Sequence, residues 1–219
     1  MKVKTFLYSV GLACWISVPI LHCASASWEK PKNELIEYEE FKASQQNAAL
    51  RIREIAEAEK NRLINQQELI LAETERQERI FNEAQHTLDV YKVNVPQDIE
   101  LYCEKAGAEF NVCPELLEAV TWRESRFCTD AENQGCSGLM QISVKWHKNR
   151  MVDLGVKDIY DAEGNIRVGA SYLQELLSKY DGDVDLALKE YNGDTSKGVS
   201  TYVVEILEVS AALERVHGK

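Results

Sequence analysis

The stretch from Cys113 to Gln141, CPELLEAVTWRESRFCTDAENQGCSGLMQ, decides how the second half of the chain is read. Pro114 suits the first turn of a helix, where its missing N–H costs nothing, and Glu115 stands near the positive end of the helix dipole. Leu117, Val120 and Glu124 then fall at successive turns of one face, so an apolar stripe ends in a carboxylate. Burial beside apolar groups raises a carboxyl pKa and keeps a proton available near neutral pH, as general-acid chemistry requires. Against that stands the commoner role of such a glutamate, a boundary residue reaching solvent, and Arg123 or Arg126 can pair with it and lower its pKa. Beyond the helix, Cys128 and Cys136 bracket a loop that closes on Gly138-Leu139-Met140-Gln141.

Downstream and just upstream, apolar residues recur every three or four positions. Ile99, Tyr102, Cys103, Ala106 and Phe110 form one stripe; Ile166, Gly169, Leu173 and Tyr180 another; Val199, Tyr202, Val203, Ile206, Leu213 and Val216 a third. Ser143 is placed to cap a short helix carrying Trp146. No period-two strand pattern stands out, so residues 96–219 are expected to form a nearly all-α domain. Asn33 to Val95 contains neither glycine nor proline and is rich in helix formers. Some sixty residues of helix would reach about 90 Å. A heptad runs through Ala49, Ala56, Leu63, Ile70, Gln77, Ala84 and Tyr91, with Phe81 and Leu88 four places after Gln77 and Ala84. Lys60, Gln67 and Thr74 hold the earlier equivalents, so the coiled-coil seam is half polar. Residues 27–95 therefore read as a helical stalk or spacer, with self-association or docking on an envelope or secretion complex as the second reading. Pro96 ends the pattern.

Lys2 and Lys4 precede an apolar run to Leu21, followed by Ala24-Ser25-Ala26, the layout of a signal peptide cleaved after Ala26 in a secreted protein. An uncleaved anchor is the rival. Cleavage at that point removes two lysines and no acid, taking the formal charge from −11 to −13. With 36 acidic against 25 basic residues, the chain lacks the positive footprint of a nucleic-acid binder. The mature chain would keep Cys103, Cys113, Cys128 and Cys136. Three disulfide connectivities are open, and Cys103–Cys113 with Cys128–Cys136 closes the shortest loops; free thiols are the other state. No C-x₂-C zinc spacing is present, and His86, His147 and His217 show no ligand spacing. Asp181-x-Asp183-x-Asp185 resembles the start of a calcium loop, but Leu186 stands where the glycine is needed and Asn192 where the closing glutamate is needed. No metal and no cofactor are expected.

Five segments in order carry a resemblance to the lytic transglycosylase family with a goose-lysozyme-like fold: Glu124-Ser125, Gly138-Leu139-Met140-Gln141, Asn165-Ile166 with Gly169 and Tyr172-Leu173, Ala187-Leu188 leading to Tyr191-Asn192, and Thr201-Tyr202-Val203. Together they span about residues 99–207. Gln141-Ile142-Ser143 with Trp146 is most similar to the subgroup attached to conjugation and secretion machines. There are departures. Glu190 stands where the family usually has alanine before Tyr-Asn, Gly193-Asp194 follows where Ala-Gly is frequent, and Glu163 or Gly164 holds the place just before Asn165 where the secretion subgroup often has a cysteine.

The resemblance implies a mainly α, lysozyme-like domain and a peptidoglycan glycan strand as substrate. It implies Glu124 as catalytic acid and then base at the bond between N-acetylmuramic acid and N-acetylglucosamine, with a 1,6-anhydro product. Ser125, Gly138, Met140, Gln141, Tyr191, Asn192 and Tyr202 are the implied substrate-binding residues. Each has a plainer reading: Ser125 as helix-end polarity, Gly138 as a loop glycine, Asn192 as a turn cap, and both tyrosines as core. Two other functions stay open. A goose-type lysozyme would hydrolyse the same bond, with Asp130 or Glu132 activating water, and a non-catalytic envelope protein would bind glycan only.

Overall fold

The computed structural model describes residues 32–196 and 198–218. The expected signal peptide, its cleavage site, Cys14 and Cys23 lie outside the described residues. In chain order come α1 (Lys32–Tyr91), α2 (Gln97–Phe110), α3 (Pro114–Ser125), β1 (Glu132–Asn133), β2 (Cys136–Ser137), α4 (Val144–Asp153), α5 (Ala162–Lys179), α6 (Val184–Tyr191) and α7 (Thr201–Val216). The architecture is mainly α, a long helix followed by a helical domain, as the sequence predicts. None of the described helices is long and apolar enough to cross a membrane.

The chain divides into two units, 1–64 and 65–219. The described part of the first is α1 up to Ile64, and residues 33–64 are exposed throughout. In the second unit, exposure continues to Arg79, and then Ala84 and Leu88 enter the core. The ring of Tyr91 meets Trp122 edge-on at 5.5 Å, and its hydroxyl donates to Glu208. The packed unit therefore starts before Pro96, the point at which helical periodicity stops. Composition marks where a helix ends; only packing marks where a core begins.

At the centre of the domain lies α3. The sequence suggests one buried stripe, but Leu116, Leu117, Ala119, Val120 and Trp122 are all buried, together with Glu115, Glu118 and Thr121. A helix covered on all sides is a core helix, and α3 packs chiefly on α7 and α2, while α2 also lies on α5. Asp161 caps α5 by accepting from the Gly164 amide, and Asp183 caps α6 by accepting from the Leu186 amide. Asp183 in the aspartate triplet thus serves as a helix cap. Ser143 occupies the N-cap position of α4 without a side-chain bond. The two strands, too short for any periodic signal, form one antiparallel hairpin with Asn133 opposite Cys136. Its turn is Gln134-Gly135, both at positive φ (50° and 82°), the twist that tight hairpins favour.

Candidate active site

Glu124 occupies the last turn of α3, and the chain reverses immediately after it. Arg126 and Phe127 both adopt left-handed conformations (φ 53° and 64°), and the Arg126 amide caps the helix by donating to the Trp122 carbonyl. Neither residue is glycine, so this reversal costs about 1–2 kcal/mol per residue. The Arg126 guanidinium lies 3.7 Å from the Trp122 ring centroid, a cation–π contact that offsets part of the cost. Strain is thus held at the point where α3 presents its terminal carboxylate.

Burial pushes the Glu124 carboxyl up, opposed by the Tyr202 hydrogen bond and by the positive charge of Arg123. The negative end of the helix dipole disfavours the anion as well. Tyr202, on α7, donates its hydroxyl to Glu124 Oε1 at 2.5 Å. Its own pKa is pushed well above the ordinary phenol value, first by burial and then by Glu124, so it is a neutral donor at physiological pH. Arg123 is engaged elsewhere, its Nε 2.7 Å from Glu205. Glu124 therefore combines desolvation with one fixed donor, the environment of a carboxyl that can give up a proton and take one back.

The segment from Gly138 to Gln141 is locked by Asn165, which is fully buried on α5. Asn165 Nδ2 donates to the carbonyls of Ser137 (3.0 Å) and Ile159 (2.8 Å), and Oδ1 accepts from the Met140 amide (2.8 Å). Gly138 has φ +79°, and a Cβ there would stand 2.2 Å from Asn165 Nδ2. Its glycine is thus required by the approach of Asn165. Met140 is wholly buried against Gly169, where an added Cβ would sit 2.4 Å from its Sδ. The Met140 carbonyl accepts from the Tyr191 hydroxyl at 2.9 Å. Gln141, at φ 47°, spends Nε2 on the carbonyls of Ala131 (3.1 Å) and Gly138 (2.9 Å), which leaves its Oε1 as the group it can offer a ligand.

A cleft of about 520 Å³ opens beside this segment, lined by Cys136, Gln141, Ile142, Ser143, Trp146, His147, Arg150, Tyr172, Glu175, Glu190, Tyr191, Asn192 and Gly193. Glu124 lies next to it. Its charge helps raise the pKa of both Cys136 and Tyr191, after burial, and both line the cleft. Of the residues expected at the site, the fold brings Gln141, Tyr191 and Asn192 to the cleft and Tyr202 to Glu124. Asn192 also caps α6. Ser125 donates to the Thr121 carbonyl at 3.1 Å, one turn back, and Met140 faces the core and contributes its backbone. His147 in the cleft wall carries no local sequence signal, while Trp146, Tyr172 and Asn165 are marked only by their place in the segments that carry the family resemblance.

No disulfide is present among the described residues: Cys103, Cys113, Cys128 and Cys136 are free thiols, the other state open from the sequence. Cys103 is wholly buried on the core face of α2, whereas Cys113 is exposed and donates to Glu115 at 3.2 Å and Glu214 at 3.5 Å. Cys128 is turned to Asp130, donating at 2.9 Å, while Cys136 faces the cleft.

The family model described as Transglycosylase SLT domain matches residues 101–199. Peptidoglycan transglycosylase gp16 of Escherichia phage T7 is 35% identical over 109 residues, 48% of this chain and 8% of its own length. The Transglycosylase of Enterobacteria phage PRD1 is 38% identical over 93 residues, 42% of this chain and 33% of its own. Membrane-bound lytic murein transglycosylase F of Desulfosudis oleivorans is 32% identical over 96 residues, 41% of this chain and 20% of its own. The chain spans a third or less of the length of these three curated relatives.

Proposed function

We propose that this chain, whose residues 101–199 match the Transglycosylase SLT domain model, is a peptidoglycan lytic transglycosylase with Glu124 as its single catalytic carboxylate. Glu124, protonated, donates to the bridging oxygen between N-acetylmuramic acid and N-acetylglucosamine. As that bond breaks, the acetamide oxygen of the muramic acid bonds to its own anomeric carbon, forming a cyclic oxazolinium ion. The Glu124 carboxylate then takes the proton of the 6-hydroxyl, whose oxygen attacks the anomeric carbon and expels the acetamide. The product is a 1,6-anhydro sugar, and no water is consumed. Tyr202 steadies the carboxylate in the step that leaves it ionised. Tyr191, which donates to Met140, holds the wall that the acetamide would meet.

The observation that carries the reading is the desolvated Glu124 with the Tyr202 hydroxyl on Oε1 at 2.5 Å. A two-carboxylate hydrolase needs a second acid to hold water. The two candidates for that role have other partners: Asp130 accepts from Cys128, and Glu132 accepts from the Tyr160 hydroxyl at 2.8 Å. Mass analysis of a peptidoglycan digest tests the proposal. The expected muropeptides are one water lighter than hydrolytic ones and vanish with Glu124→Gln; reducing-end products alone would assign the goose-type lysozyme reaction instead. The same reading places the protein outside the cytoplasm, in the periplasm or at the cell surface, with α1 as spacer or docking helix.

A further inference from the structure

The structure distinguishes two kinds of tryptophan among the described residues. Trp122 is buried in the core at 1% exposure, where its ring carries Arg126 and Tyr91, whereas Trp146 is 76% exposed. An isolated exposed apolar residue needs no explanation, but Trp146 lies in the wall of the cleft formed with Gln141 and Tyr191. The residues next to it there are packed together. His147 meets Tyr172 at a tilt of 56° with centroids 4.5 Å apart, and Tyr172 lies 5.3 Å from Tyr191. Arg150, bound to Ser171 at 2.8 Å, holds its guanidinium over Tyr172 at 5.4 Å. An aromatic row thus leads from Tyr191, which feels the charge of Glu124, out to the first turn of α4, where Trp146 stands.

We propose that Trp146 is a stacking platform for a sugar of the glycan strand, at least one residue removed from the bond that Glu124 cleaves. This rests on the transglycosylase reading above. A pyranose ring presents an apolar face of C–H groups ringed by hydroxyls, and a wide indole offers the matching apolar surface with little conformational entropy to lose. The neighbouring polar groups suit the hydroxyl rim: the Gln141 Oε1, Ser143 and the Glu175 carboxylate all lie in the same wall. Trp146 would therefore set preference for longer strands, acting through binding and leaving the chemical step to Glu124.

The test compares the full chain with Trp146→Ala and Trp146→Phe on peptide-free glycan strands of two and of four disaccharides, reading kcat and KM separately. Wild type is expected to prefer the longer strand. In Trp146→Ala the KM for that strand rises about five- to tenfold, the contribution of one aromatic face, with a smaller rise on the shorter strand. Trp146→Phe recovers most of the loss. In a Glu124→Gln background, addition of the four-disaccharide strand should shift tryptophan emission, and Trp146→Ala should remove that shift. Wild-type cleavage with an unchanged KM in Trp146→Ala overturns the platform alone. Absence of cleavage by wild type on both strands overturns the transglycosylase reading, and the emission shift in the Glu124→Gln chain then still decides whether Trp146 binds glycan.

Discussion

Asn165→Ala removes three buried hydrogen bonds without touching substrate, and its cost can be worked out bond by bond. The Ser137 carbonyl keeps a partner, since the Ile142 amide donates to it at 3.0 Å. The Met140 amide and the Ile159 carbonyl have no other bond of their own to fall back on in the loop geometry described. Each orphaned buried group costs about 1–3 kcal/mol, so a loss of about 3–4 kcal/mol is expected, a large part of the ~5–15 kcal/mol that holds a domain together. Urea unfolding with an unchanged m-value measures it. A double-mutant cycle with Gly138→Ala sharpens the test. Alone, Gly138→Ala suffers both its positive φ and the 2.2 Å approach to Asn165 Nδ2; once Asn165 is alanine, that approach is gone. The double variant should therefore be at least about 1 kcal/mol more stable than the sum of the single losses implies. A single loss below about 1 kcal/mol, or additive behaviour, would refute the view that Asn165 locks the Gly138–Gln141 segment.

Three further outcomes follow from the same geometry. Tyr202→Phe removes the bond that favours ionised Glu124, so the alkaline limb of the kcat/KM profile should move to higher pH, with activity down about tenfold; a limb that moves down would contradict the donor role. Glu124 has its folded-state pKa raised above the unfolded value, so the native state binds more protons and stability falls as pH rises through that window. Glu124→Gln should accordingly raise the melting temperature by about 2–4 °C above the window, with the advantage shrinking below it; a melting point lowered throughout would refute the sign. Gly169→Ala drives a methyl group into Met140 Sδ, and overpacking of this kind costs about 1–3 kcal/mol by thermal melts, while displacing the carbonyl that Tyr191 holds should lower kcat as well.

What the chain declares locally and what only the fold supplies can be separated residue by residue. Glu124 was legible because its signal is short-range: an apolar stripe one turn and two turns back, and a serine beside it. The phenol that completes it is 78 residues away on α7, and nothing in the periodicity of Val203 and Ile206 distinguishes a core tyrosine from one that reaches a carboxylate. Tyr202 is in fact both, 6% exposed and bonded to Glu124. Asn165 follows the same rule, since its partners lie 6, 25 and 28 residues away, and its meaning exists only once α5 passes under the hairpin. The cysteines make the converse point. Loop length favoured Cys103 with Cys113, yet the stripe of Ile99, Cys103 and Ala106 already turned Cys103 toward the core, and Pro114 already began a new helix beside Cys113. Direction along a helix was the stronger constraint, because a thiol's reach is fixed by the face it occupies before the number of intervening residues matters. Cys136 is directed in the same way: its pairing opposite Asn133 in the hairpin leaves the sulfur at the cleft, where it shares a wall with Tyr191 and Gln141 and has no need of a second cysteine to hold the loop that Asn165 already holds.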